Sequence, residues 1–157
     1  MSFDHNKLRF FFYSLYSILA LIIMVDFLIP GNKVIDEIST VQKERQQYFN
    51  AARNFHYSYK VSTSQYDFYI TGDYAKEIDI NERIEFEVSL LFKEVNEYRL
   101  LSFEKSDTYS LRYISSLFIP LLVLITMAFA YFSKKKISTL IFVLQVLLLA
   151  DLVFLIL

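Results

Sequence analysis

The chain has no cysteine and only two histidines, two glycines and two prolines. Without cysteine there is no disulfide, thiolate metal site, thiol nucleophile or lipid-modified cysteine, so any segment outside the cytosol must be stabilised by packing alone. His5 and His56 are isolated and expected on opposite sides of a membrane, which excludes a two-histidine metal site within one chain. Gly31 and Gly72 cannot build a phosphate-cradling loop. Glu85 and Glu87, two apart on a polar strand face, read as a solvated edge rather than an acid/base pair. No cofactor is implied, and the chain is expected not to be an enzyme.

Apolar residues, by contrast, are abundant. Of 157 residues, 55% are hydrophobic, and the excess falls in three blocks, residues 10–29, 111–132 and 137–157. Each has about 20 residues, which at about 1.5 Å rise per residue spans the roughly 30 Å hydrocarbon layer of a bilayer. The remaining residues could not cover three such helices in water, so three transmembrane helices are expected. The first block follows Lys7 and Arg9 like a signal peptide. It is longer than the usual apolar region of one, and no small-x-small cleavage pattern follows it, so an uncleaved anchor is expected.

Charge sets the expected topology. Short positively charged loops stay in the cytosol during insertion, and Lys134, Lys135 and Lys136 fill the gap at residues 133–136. That gap is therefore expected to be cytoplasmic, as are residues 1–9 with Lys7 and Arg9. Residues 30–110 and the C-terminus are then extracytoplasmic. The chain reads as a multi-pass protein of a cell membrane, with a bacterial inner membrane favoured. Residues 31–110 carry ten Lys/Arg against fourteen Asp/Glu, a net of −4, which argues against nucleic acid as a partner.

Within residues 30–110 the pattern changes twice. Val34, Val41 and Tyr48 on one row, with Ile38, Arg45 and Ala52 on the next, predict an amphipathic helix over 33–52, able to pack on its own domain or pair with a second copy. From Phe55 onward the period is two: Phe55, Tyr57, Tyr59, Val61; then Tyr66, Phe68, Ile70; then Ile84, Phe86, Val88, Leu90; with a further strand over 95–103. Such alternation predicts an antiparallel sheet of four or five strands. The expected fold is thus an α+β integral membrane protein, with a small extracytoplasmic β domain plus one amphipathic helix between the first and second transmembrane helices.

A few residues stand out of place. Asp26 and Asp151 lie inside apolar runs, 17 residues beyond Arg9 and 15 beyond Lys136, about 22–26 Å from the inner face. Arg112 begins the second block at a similar depth and is an expected ion-pair partner, most easily for Asp26. Intramembrane acids mark pairing or ion handling by default. Gln145, Thr126 and Ser17 lie deeper and suit interhelical hydrogen bonds. Fourteen aromatics lie in residues 48–109, more than one sheet face can bury. Tyr69 and Tyr74 fall off the core register and are candidate partner contacts. The expected partners are the lipid bilayer and a protein partner or a second copy. The leading expectation is an accessory or assembly protein whose extracytoplasmic β domain binds a partner in an envelope complex. The alternative is a subunit of a transporter or ion-conducting complex using Asp26 and Asp151.

Overall fold

A computed structural model describes residues 5–47, 55–102, 105–132 and 138–156. The chain divides into two compact units, residues 30–110 on one hand and residues 1–29 with 111–157 on the other.

The helical unit contains α1 (His5–Leu28), α2 (Ser110–Tyr113), one π-helical turn (Ile114–Phe118), α3 (Ile119–Phe132) and α4 (Ser138–Ile156). Three stretches, Lys7–Leu28, Ser110–Phe132 and Thr139–Ile156, are long and apolar enough to cross a membrane, as in a multi-pass membrane protein. Phe11, Ile125 and Phe142 are among the large apolar side chains exposed on all three, an arrangement suited to hydrocarbon rather than water. Phe10 meets Tyr131 at 6.0 Å and Phe27 meets Tyr113 at 5.5 Å between ring centroids. The start of α1 therefore lies beside the end of the second span, and its end beside that span's start, so the two run antiparallel.

The π turn has a local cause. Pro120 has no N–H to give to the Ser116 carbonyl, and its ring crowds that carbonyl. The strand of helical hydrogen bonds widens just before it, with the Ile119 N–H bonding back to the Ile114 carbonyl. Lys134, Lys135 and Lys136 lie outside the described residues.

The other unit is built of β1 (Asn32–Glu37), β2 (Thr40–Gln47), β3 (Phe55–Ser62), β4 (Asp67–Ile70), β5 (Arg83–Val88) and β6 (Val95–Leu100), with a short 3₁₀ turn at Tyr74–Lys76. They form two three-stranded antiparallel sheets, ordered β1-β5-β6 and β2-β3-β4, instead of one sheet of four or five strands. The helix expected over 33–52 is replaced by β1 and β2, with Tyr48 and Ala52 outside the described residues. The physical reason is that Val34, Ile35, Ile38, Thr40 and Val41 are all β-branched, which costs χ1 freedom in a helix and suits a pleated surface. The 4-3 spacing of Val34, Ile38 and Val41 imitates a heptad because Ser39 sits between two strands as one residue out of step.

Both sheets contribute to one core. β5 buries Ile84, Phe86 and Val88; β6 buries Tyr98 and Leu100; β3 and β4 add Val61, Phe68 and Ile70. Phe68 lies 5.0 Å from Phe86 and 6.0 Å from Tyr98, and Tyr74 meets Tyr98 edge-on at 4.9 Å. Polar latches join the layers. Asp36 accepts hydrogen bonds from the Ser64 N–H at 3.0 Å and hydroxyl at 2.5 Å, and the Ser64 hydroxyl foremost holds its carboxyl below the usual range. Thr71 donates its N–H to the Tyr98 hydroxyl at 2.9 Å and its hydroxyl to Asp107 at 2.6 Å.

Burial pushes the Tyr98 phenol from its ordinary 10 up to about 12. The neutral phenol is the form the core accepts, so its contribution is full below pH 10 and is lost as pH rises to about 12. Two pKa units correspond to about 2–3 kcal/mol. Unfolding of this unit followed by near-ultraviolet circular dichroism should steepen between those pH values, and Tyr98→Phe should flatten that limb; an unchanged limb would refute the assignment.

Candidate functional site

The bundle gathers the three charges that stand out in the apolar runs. Asp26 on α1, Arg112 on α2 and Asp151 on α4 are 3%, 5% and 6% exposed. Arg112 Nη2 lies 3.7 Å from Asp26 Oδ2, and its guanidinium carbon sits 5.8 Å from the Phe27 ring centroid. The Arg112 charge acts on Asp151 as well. Arg112 lies two residues before the π turn, whose buried residues, Ser115 and Ser116, place their hydroxyls 3.5 Å apart. Ser115 also donates to the Arg112 carbonyl at 3.4 Å. The π turn thus carries two small polar residues that are buried within the helical unit.

Asp151 occupies a different kind of position. The buried residues of α4 are Ile141, Leu144, Leu148, Asp151 and Leu155, a 3-4 seam that is aliphatic elsewhere. Its Oδ2 is buried and has no hydrogen-bond partner among the described residues. Gln145 lies off this seam and is half-buried, Thr126 on α3 is buried, and Ser17 on α1 is half-buried. Lys7 and Arg9 are exposed near the start of α1, with Arg9 Nε donating to the Tyr13 hydroxyl at 2.7 Å.

In the β unit, Tyr74 is a core residue and not a surface one. It is 5% exposed and its hydroxyl accepts a hydrogen bond from the Leu100 N–H. The 3₁₀ turn that carries it rotates its ring onto Tyr98, which strand counting does not anticipate. Tyr69 is half-buried, stacked on Tyr109 at 5.6 Å, and donates to Glu44 Oε2 at 3.2 Å. Glu85 accepts from Arg99 at 2.9 and 2.6 Å, and Arg99 foremost holds its carboxyl below the usual range. Glu87 caps the Gly31 N–H at 2.8 Å.

A second feature escapes a helical reading of residues 33–52. β2 and β3 pair over eight residues, whereas β4 covers only residues 59–62 of β3. The hairpin therefore runs four residues past its third strand. At the base of that extension Lys43 Nζ sits 4.0 Å above the ring of the exposed Tyr57, which lies on it, and 5.7 Å from that of Tyr59, a cation–π arrangement. The alternation Val41, Lys43, Arg45 against Tyr57, Tyr59, Val61 was the available signal. Comparison of the chain with family models, with curated proteins and with solved structures finds no match.

Proposed function

We propose that this chain is a non-enzymatic accessory or assembly subunit of a cell-membrane complex, whose β unit lies outside the cytosol and docks a partner protein through the β2–β3 hairpin. Lys7, Arg9, Lys134, Lys135 and Lys136 hold the N-terminus and the short loop in the cytosol, in a bacterial inner membrane, by the positive-inside rule. The observation that carries the reading is the extended hairpin with Tyr57 exposed beneath Lys43. A strand edge continuing past its sheet offers backbone groups for strand addition, and Tyr with a cation beside it supplies the kind of anchor that dominates interfaces.

The test is site-specific photocrosslinking of the full chain in its native membrane. A probe at Tyr57 or Lys43 should yield one discrete adduct, while probes at the exposed Lys76 and Glu97 should not. Replacing Tyr57 and Lys43 together by Ser should lower partner co-purification from mild detergent at least about tenfold, the loss of a single interface hot spot. Adducts of equal yield at all four positions, or a chain that purifies alone, would defeat the proposal.

A further inference from the structure

Among the described residues, the buried charges of the helical unit do not balance. Asp26, Arg112 and Asp151 are each at least nine-tenths buried, and two carboxylates face one guanidinium. Arg112 is engaged by Asp26 at 3.7 Å, while Asp151 Oδ2 has no hydrogen-bond partner among the described residues. An uncompensated carboxylate in an apolar interior is among the costliest groups a protein can bury. A leucine would continue the α4 seam at no such cost, so the acid at this position calls for a positively charged occupant.

From this we propose that Asp151 Oδ2 binds one small monovalent cation, a proton or an alkali ion, which completes the neutrality of the triad. Charge and burial select that class. A divalent ion would leave the triad at +1, and a lysine from another chain would have to enter a seam in which Asp151 is only 6% exposed. The hydroxyls of Ser115 and Ser116, buried next to Arg112 in the π turn, add neutral oxygen to the same end of the bundle. The inference stands apart from partner docking by the hairpin, since its residues all lie in the helical unit.

The test uses the full chain in zwitterionic lipid nanodiscs, with thermal unfolding read by circular dichroism at constant ionic strength. Na⁺ or K⁺ is exchanged for N-methylglucamine in one arm, and pH is varied in N-methylglucamine in the other. A bound alkali ion raises the wild-type Tm by about 3–6 °C per tenfold increase in free ion above its dissociation constant. A bound proton gives no alkali response, and Tm instead falls by about that amount per unit of rising pH. In either case the response disappears in Asp151→Asn and persists in Asp26→Asn, the control for the neighbouring carboxylate; Arg112 does not titrate in the range used. If Asp151→Asn does not fold, Asp151→Leu, which extends the aliphatic seam, takes its place. Parallel responses in wild type and the Asp151 variants to all three ions and to pH would overturn the proposal.

Discussion

Arg112→Met should destabilise the helical unit by about 3–5 kcal/mol, the effect of removing one partner from a buried ion pair. The loss is not that of one 3.7 Å contact. With the guanidinium gone, Asp26 stays buried but loses the cation that faces it. Neutral hydrogen bonds do not make up that loss: between helices in bilayers they contribute about 0.6 kcal/mol on average, so the Ser115 and Ser116 hydroxyls are too weak by severalfold. The same logic makes the triple replacement Asp26→Leu, Arg112→Met, Asp151→Leu neutral to stabilising, because it removes every desolvated charge at once. Unfolding in mixed micelles titrated with a denaturing detergent measures both. A single Arg112→Met variant with the wild-type midpoint would show that the guanidinium does not hold the carboxylates, and would remove the electrostatic basis of the site.

Some of this arrangement is legible in the sequence and some is not, for reasons that are physical. Apolar blocks announce three helices because hydrocarbon thickness demands a minimum run, and alternation at Phe68 and Ile70 or Ile84, Phe86 and Val88 announces strands because one face must be dry. An aspartate within such a block stands out by cost alone, and under the expected topology rise per residue puts Asp26, Arg112 and Asp151 at a similar depth. Rotation about each helix axis is another matter. Whether Asp151 faces a partner or an empty seam depends on how three helices pack, and the π turn before Pro120 shifts the register of everything around Arg112. Pairing between distant strands is equally hidden. β1 joins β5 some fifty residues on, and nothing local to residues 32–47 distinguishes two short strands interrupted at Ile38 and Ser39 from an amphipathic helix except the density of β-branching.

Gly31→Val should destabilise the β unit by about 1–3 kcal/mol or more, the range for overfilling a packed site, even though residue 31 lies in neither a turn of positive φ nor the core. A Cβ at this position would stand 2.1 Å from the Val88 carbonyl oxygen, 2.7 Å from its carbon and 3.2 Å from the Ser89 nitrogen. All three are backbone atoms, so no side-chain rotation relieves the clash. Relief requires that the start of β1 withdraw from β5, which breaks the pairing of Asn32 with Val88 and the Gly31 N–H bond to Glu87 at 2.8 Å. Val88 is 2% exposed and belongs to the core, so the displacement reaches the interior through the strand that carries it. Gly72 supplies the control within the same unit. Its added Cβ would meet only the Tyr59 ring at 3.4 Å, an ordinary contact, and its φ is not positive. Gly72→Ala should therefore be neutral or stabilising by about 0.4–1 kcal/mol, through the reduced freedom of the unfolded chain. Limited proteolysis of the full chain in nanodiscs, timed by cleavage within residues 30–110, should rank the three proteins Gly72→Ala, wild type, Gly31→Val in order of decreasing resistance. Gly31→Val cut no faster than wild type would mean that the close approach of residue 31 to Val88 is not needed to hold β1 in its sheet.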